Sequence, residues 1–126
     1  MPDPQGDSCS FLSWFLPTTE ITEAVVEEMK AQGILAGSFY WFKNNWHYIS
    51  KWDHLKNAET LQGVTHDVHL ALKEYATKSF PASDAVMGRC ISTAISLVWT
   101  EEQIKEKGEK MVNAIKKVME IEGVPA

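Results

Sequence analysis

Apolar residues recur along this chain with two different periods, which separate predicted strands from predicted helices. Residues 10–16 are aromatic and apolar, and they predict a strand that ends at Pro17. A second apolar stretch, at residues 35–42, predicts another strand. Residues 90–96 alternate larger apolar residues with small or polar ones, which is the period of a half-buried strand. The chain therefore carries three predicted strands, widely separated in sequence.

The first predicted helix lies between the first two strands. Thr18 or Thr19 is placed to cap it, and the helical pattern continues to about Gln32. One side of this helix is expected to be buried, made of Ile21, Ala24, Val25, Glu28 and Met29. Gly33 follows and is expected to end the helix, because glycine adopts the left-handed C-cap conformation without a steric cost.

Two more helices are predicted before the third strand. Residues 65–78 predict an amphipathic helix, and a shorter helix begins at Pro81, a residue suited to a first helical turn. The longer helix is expected to bury Val68, Ala71, Leu72 and Tyr75. Residues 44–57, rich in tryptophan and histidine, show no clear period.

The last predicted helix spans residues 101–121 and begins with a capping box. Thr100 and Gln103 have the spacing at which each side chain bonds the other residue's backbone N–H. Gly108 weakens this helix by about 1 kcal/mol relative to alanine and is interpreted as a position of close packing. The apolar side of the helix is expected to be Ile104, Met111, Val112, Ile115, Val118 and Met119.

This order of elements predicts an α+β fold, with a small, mostly antiparallel sheet packed against helices on one face. Residues 1–8 are rich in proline, glycine and aspartate, and they are interpreted as a linker or frayed terminus. Residues 9–126 are expected to form one domain, as the length of 126 residues suggests.

Composition and charge argue against several classes of partner and location. The net charge of −5 disfavours binding to nucleic acid or to an anionic membrane, which both require clustered lysine and arginine. No apolar stretch approaches the roughly 20 residues that cross a bilayer, and the N-terminus does not resemble a signal peptide. Cys9 and Cys90 lack metal or redox spacing, so reduced thiols and a cytoplasmic location are expected.

Aromatic residues are concentrated at residues 39–52, here named the aromatic block. Its rings, amides and histidine are groups that a carbohydrate site uses, with ring faces against the sugar and amides on its hydroxyls. The same residues are more typical of a loop that lines a core, or of a surface covered by another domain or subunit. Both interpretations remain open at this point.

The histidines suggest two further sites, neither of which the spacing supports. His66 and His69 could form a metal pair, but Lys73 shares their face and no third ligand stands at helical spacing. Asp53 and His54 could form an acid–base dyad, but adjacent side chains seldom point at one another. No catalytic or metal-binding residue is predicted, although a metal-dependent hydrolase using the four histidines is a third hypothesis.

The stretch FPASDAVMGRCISTAISLVWTEEQ, at residues 80–103, resembles the end of the DegT/StrS family of pyridoxal-phosphate-dependent nucleotide-sugar aminotransferases. Residues 6–15 resemble the strand that opens the small C-terminal domain of that family, and residues 21–34 resemble its first helix. Tyr40 falls near an aromatic position of the family, and the resemblance covers about residues 7–121. Many members then show His-Tyr followed by Pro and His, which this chain lacks, so their substrate chemistry does not carry over.

The resemblance implies the C-terminal small domain of a fold-type I enzyme, closing over a nucleotide-sugar substrate. It implies that Tyr40, Asn44, Asn45 and His47 lie on the substrate side. Pyridoxal phosphate would be held by the large N-terminal domain of the intact enzyme, with no cofactor in this chain and no catalysis by it alone. Expected partners are that large domain, the nucleotide sugar and a second copy in a homodimer.

Two points stay open within this reading. The parent enzyme could transaminate its sugar or carry out dehydration or another sugar modification, because the deciding residues belong to the large domain. The alternative is a freestanding sugar- or protein-binding module that presents the aromatic block as its binding surface.

Overall fold

The computed structural model describes residues 4–6, 10–34, 38–43, 48–59, 63–121 and 123. The chain divides into two compact units, with Met1–Tyr40 and Arg89–Ala126 in the first unit and Trp41–Gly88 in the second. Pro4–Gly6 form a 3₁₀ turn, and residues 7–9 lie outside the described residues. The predicted boundary between a linker at residues 1–8 and a domain at residues 9–126 therefore stays a prediction.

The sheet of the first unit contains three antiparallel strands in the described part of the chain. Strand β1 is Phe11–Phe15, strand β2 is Ser38–Tyr40 and strand β3 is Cys90–Ala94. Their order is β1-β3-β2, and both pairings are antiparallel. Ile91 at the centre of β3 is opposite Trp14 on one side and Tyr40 on the other. The predicted small antiparallel sheet is confirmed.

Four of the five residues of strand β3 are buried, whereas its alternating sequence predicted a half-buried strand. Cys90, Ile91, Ser92 and Thr93 are all buried. The prediction was wrong because β3 is the central strand, so its small polar residues lie between two neighbouring strands. The hydroxyl groups have partners: Ser13 Oγ donates to Ser92 Oγ at 3.2 Å, and the Trp14 indole donates to Thr93 Oγ1 at 3.5 Å.

Strand β2 is shorter than the predicted span of residues 35–42. Its described part ends at Tyr40, and Trp41–Lys43 continue as a 3₁₀ turn. Residues 35–37 lie outside the described residues. The aromatic sequence continues past Tyr40, so composition alone did not locate the end of the strand.

Helix α1, Thr19–Ala31, begins and ends with the predicted caps. Thr18 Oγ1 accepts from the backbone N–H of Ile21 at 3.2 Å. Gly33 has φ +72°, and the N–H of Ile34 donates to the Met29 carbonyl at 3.0 Å. The Gly33 N–H donates to the carbonyl of Lys30, also at 3.0 Å, which completes a Schellman motif.

Helix α5, Glu101–Ile121, begins with the predicted capping box. The Gln103 N–H donates to Thr100 Oγ1 at 3.3 Å, and the Thr100 N–H donates to Gln103 Oε1 at 3.0 Å. The buried residues of the helix are Ala114, Val118 and Met119. Of the predicted apolar side, Ile104 and Val112 are about half exposed, so the C-terminal part of α5 makes the core contact.

Helices α1 and α5 pack together on one face of the sheet. The core consists of residues from both helices, from β3 and from the chain flanking α1: Leu16, Ile21, Val25, Met29, Ile34, Ile91, Ala114, Val118 and Met119. Trp14 of β1 packs against this core. Lys117 Nζ and Glu28 Oε2 form an ion pair between the two helices at 2.7 Å. This arrangement is the predicted α+β fold.

The second unit contains three helices in its described part. They are α2, Asp53–Lys56, α3, His66–Ala76, and α4, Pro81–Met87. The bounds of α3 and α4 agree with the predicted helices. Across all the described residues, no helix combines the length and the apolar character needed to span a membrane.

The predicted burial of one side of α3 is wrong. Val68 and Ala71 are exposed, and Leu72 and Tyr75 are partly exposed. The main described packing partner of α3 within its unit is α2, which is a single helical turn. A helix of four residues is too short to cover the apolar side of an eleven-residue helix.

Candidate functional site

Tyr40 is the one predicted substrate residue that the described residues include. Asn44, Asn45 and His47 lie outside them, so their role stays a prediction. Tyr40 ends β2 and is half-buried. Burial, followed by the charges of Glu23 and Glu20 on α1, raises the pKa of Tyr40 to about 12. At neutral pH its hydroxyl is therefore a protonated hydrogen-bonding group and not a base.

The aromatic block continues past Tyr40 into the second unit, where its described residues are 41–43 and 48–52. The ring centroids of Phe42 and Tyr48 are 5.9 Å apart, and Lys51 Nζ lies 4.3 Å from the centroid of the Phe42 ring. Tyr48 is only 3% exposed, and its hydroxyl donates to the Asp84 carboxylate on α4. For Phe42 and Tyr48 these contacts favour the interpretation of a packed loop over that of a sugar-stacking surface.

The adjacent pair Asp53 and His54 does not form an acid–base dyad. The Asp53 carboxylate lies 4.0 Å from Lys56 Nζ. The His54 ring instead lies 6.3 Å from the ring of Trp52, centroid to centroid. Both residues are exposed. The two side chains have separate neighbours, as expected for adjacent residues at the start of a helix.

His66 and His69 both lie on α3. His66 is exposed and His69 is partly exposed. Within the part of the chain that the structure describes, no group of three His, Cys, Asp or Glu residues is arranged to hold a metal ion. The absence of a metal site in the chain as a whole stays a prediction.

Cys90 is a free thiol at the start of the central strand. It is buried, and burial raises the pKa of its thiol. Because the thiolate is the nucleophilic form, burial and a raised pKa both disfavour reaction of the Cys90 thiol. Its position in the sheet identifies Cys90 as a packing residue.

An apolar cavity in the first unit was not anticipated from the sequence. Its volume is about 160 Å³, and its walls come from β1, β3, α5 and the residues that follow α1 and β3. The lining residues are Leu12, Ile34, Thr93, Ile95, Trp99, Ile104, Lys107, Gly108 and Met111. Lys107 is the charged residue among them, and its Nζ lies 4.8 Å from the centroid of the Trp99 ring.

Gly108 borders this cavity and is not the site of close packing that the sequence predicted. A Cβ atom built at Gly108 would meet no atom of the described residues within 4 Å. A glycine between the apolar residues Ile104 and Met111 of one helix was the available signal. The prediction of close packing was wrong, because a glycine in a helix can also leave open space beside it.

The cavity does not fit pyridoxal phosphate. Such a site needs a lysine to hold the cofactor, an acidic partner for the pyridine nitrogen and donors for the phosphate. The cavity supplies Lys107, but its lining includes no carboxylate, and Thr93 is its one hydroxyl residue. This concerns the cavity alone. The expectation that the whole chain holds no cofactor stays a prediction.

Several large apolar side chains of the first unit are exposed, among them one pair on β1 and one pair in the turn after β3. Phe11 and Phe15 of β1 are 58% and 56% exposed. Leu97 and Val98, in the turn between β3 and α5, are 94% and 86% exposed. Exposed apolar residues that stand close together mark interaction surfaces more often than scattered single ones do.

Comparison with known protein families gives no assignment, since no family model matches the sequence. The resemblance to the DegT/StrS aminotransferases, at residues 6–15, 21–34 and 80–103, therefore stays a prediction. Their described residues form β1, α1, α4, β3 and the start of α5.

Proposed function

We propose that this chain acts as the C-terminal small domain of a pyridoxal-phosphate-dependent sugar aminotransferase, or of a related sugar-modifying enzyme of the DegT/StrS type. It would act in the cytoplasm, close over the sugar end of a nucleotide-sugar substrate and not catalyse the reaction alone. The order of elements supports this proposal, with strand, helix and strand followed by short helix, strand and capped helix.

The observation that carries the proposal is the exposed face of β1. In an antiparallel pair, directly opposed residues point to the same face, and successive residues alternate. Phe11 and Phe15 therefore point away from the face on which Trp14 meets the core and the helices. Both phenylalanines are more than half exposed. A large partner domain would cover them, as the proposed parent enzyme requires.

Within such an enzyme, this chain would bind and orient the sugar and would exclude water from the site. Bound pyridoxal phosphate supplies the electron sink of the reaction, and the large domain would hold it. Tyr40 remains protonated because its pKa is about 12, so its hydroxyl could donate a hydrogen bond to a sugar hydroxyl. Closing the site over the sugar would also remove water from the reacting groups.

A domain exchange tests this proposal. The chain would replace the small domain of a DegT/StrS aminotransferase, and the chimera would be assayed for retained pyridoxal phosphate and for transamination. We expect a folded, cofactor-loaded chimera that loses solubility or activity when Phe11 and Phe15 are both changed to serine. Leu97→Ser, which changes an exposed leucine on a turn, is the matched control. A chimera that never retains the cofactor would contradict the proposal.

The freestanding sugar-binding module is the second candidate, favoured by the partial exposure of Trp41 and Trp52. It predicts that a nucleotide sugar such as UDP-glucose shifts the tryptophan emission of the chain alone. Trp41→Phe and Trp52→Phe should each reduce that shift. Trp14→Phe, at a residue that packs against the core of the first unit, should not reduce it. No saturable shift at any UDP-glucose concentration would exclude this candidate.

A further inference from the structure

We propose that the apolar cavity of the first unit binds a small aromatic carboxylate, a ligand the size of benzoate. This proposal goes beyond the proposed function, because the cavity belongs to neither the exposed face of β1 nor the aromatic block. Four observations carry it: the volume of the cavity, the chemistry of its walls, the space beside Gly108 and the position of Lys107.

The volume and walls match a single six-membered ring. The cavity measures about 160 Å³, and most of its lining is apolar. An engineered protein cavity of about 150 Å³ lined by leucine, isoleucine and phenylalanine stays dry and binds benzene. Leu12, Ile95, Ile104 and Met111 provide an apolar surface here too, in a cavity that is open to solvent, since Leu12 and Ile104 are 49% and 51% exposed. A six-membered ring would make apolar contacts with these walls, which a water molecule cannot make.

Gly108 is the residue that leaves this space open. It stands in the interior of α5, where glycine lowers helix stability relative to alanine. The backbone there does not require glycine, since Gly108 is not among the positions with positive φ. Nothing in the described residues lies within 4 Å of a Cβ built on it. Because Gly108 lines the cavity, we expect a leucine side chain at this position to reach into it.

Lys107 selects an anionic substituent on the ring. Its amine lies over the Trp99 ring at the cavity lining. No ion pair involves Lys107 within the described residues. The neighbouring Glu106 pairs with Lys110 at 2.6 Å, and after Lys110 the charge of Lys107 also lowers the pKa of Glu106. A carboxylate on a ring inside the cavity would therefore meet a single cation and no carboxylate of the lining.

A methyl NMR titration of the full 126-residue chain tests the proposal. The probes are benzoate and toluene, which share the ring and differ in charge. We expect saturable shifts of the Ile104 and Met111 methyl signals with both probes, and tighter binding of benzoate. Lys107→Gln should weaken benzoate about two- to fivefold, as for a solvent-exposed ion pair, and leave toluene unchanged.

A variant that fills the cavity gives the second arm of the test. Gly108→Leu should abolish saturable binding of both probes. Asn113→Leu is the matched control, because it adds the same side chain to an exposed position of the same helix, and it should leave binding unchanged. If Gly108→Leu does not fold, nuclear Overhauser contacts from benzoate to the Ile104 and Met111 methyl groups of the unchanged chain decide the matter.

Three results would overturn the proposal. The first is the absence of saturable shifts or of Overhauser contacts at the cavity with either probe. The second is binding that a folded Gly108→Leu variant leaves unchanged, which would place the ligand elsewhere. The third is equal affinity for benzoate and toluene in the unchanged chain, which would remove the carboxylate from the proposed ligand class.

Discussion

Thr100 makes two reciprocal hydrogen bonds at the start of α5, and loss of its hydroxyl removes one of them. The Gln103 N–H would lose its acceptor, Thr100 Oγ1. We expect Thr100→Ala to lower the free energy of unfolding by about 1 kcal/mol, the usual effect of losing an N-cap. Urea unfolding measures the change. Thr100→Ser keeps the hydroxyl and should behave nearly as the unchanged chain, and an unchanged midpoint for Thr100→Ala would show that the cap contributes nothing.

Tyr40 should make stability depend on pH in the alkaline range. Its pKa is raised from 10.0 to about 12 in the folded chain, so the folded state keeps a proton that the unfolded state has lost. The resulting stabilisation is fully present below pH 10 and is lost as the pH rises through about 12. Tyr40→Phe should remove this contribution and flatten the profile between those values.

Alkaline absorbance titration of the unchanged chain and of Tyr40→Phe provides the measurement. The difference between the two curves should correspond to the ionisation of one tyrosine, with a pKa well above the ordinary value of 10.0. Tyr75→Phe is a useful comparison, because burial also raises the pKa of Tyr75. A Tyr40 that titrates near 10.0 would show that its hydroxyl is more solvated than the structure indicates.

At the scale of elements, Gly108 and Gly33 should respond to alanine in opposite directions. Gly108 has ordinary helical backbone and open space beside it, so Gly108→Ala should stabilise the chain by up to about 1 kcal/mol. Gly33 has φ +72°, where a Cβ is strained, so Gly33→Ala should destabilise the chain by about 1 kcal/mol. Thermal or urea unfolding compares them, and a destabilising Gly108→Ala would show that the space is filled in solution.

The elements that the sequence predicted well are those that local chemistry determines. The caps at Thr18, Gly33 and Thr100 involve residues at most a few positions apart, so their spacing is visible in the sequence. Burial is different, because it depends on distant partners. Ser92 is buried since β3 lies between β1 and β2, and Val68 is exposed since α3 packs mainly on a one-turn helix.

The candidate sites also divide into those that neighbouring residues determine and those that depend on distant partners. The sequence correctly predicted that Asp53 and His54 do not pair with each other, because adjacent side chains diverge. The cavity could not, since its lining joins Leu12 to Met111, almost a hundred positions later, through the packing of α5 on the sheet. Asn44, Asn45 and His47 lie outside the described residues, so that part of the predicted substrate site stays a prediction.

For the whole molecule, the exposed apolar side chains predict self-association. The aromatic block, residues 39–52, is one candidate for a surface that another subunit covers. Among the described residues of that block, Tyr48 is buried, whereas Phe11 and Phe15 are more than half exposed. We therefore expect the contact to involve β1. Sedimentation velocity should show a concentration-dependent dimer that Phe11→Ser with Phe15→Ser weakens and Leu97→Ser does not. A monomer at every concentration would exclude this surface as a self-association site.

The isolated chain is also expected neither to bind pyridoxal phosphate stoichiometrically nor to transaminate. The motivation is chemical: the described cavity offers Lys107 without an acidic partner for the pyridine nitrogen or donors for a phosphate. Free pyridoxal phosphate should label several exposed lysines weakly and none of them preferentially. Borohydride reduction followed by peptide mass spectrometry measures this. One lysine labelled to completion, with a protein-bound visible band that reduction removes, would contradict the prediction and place cofactor chemistry within this chain.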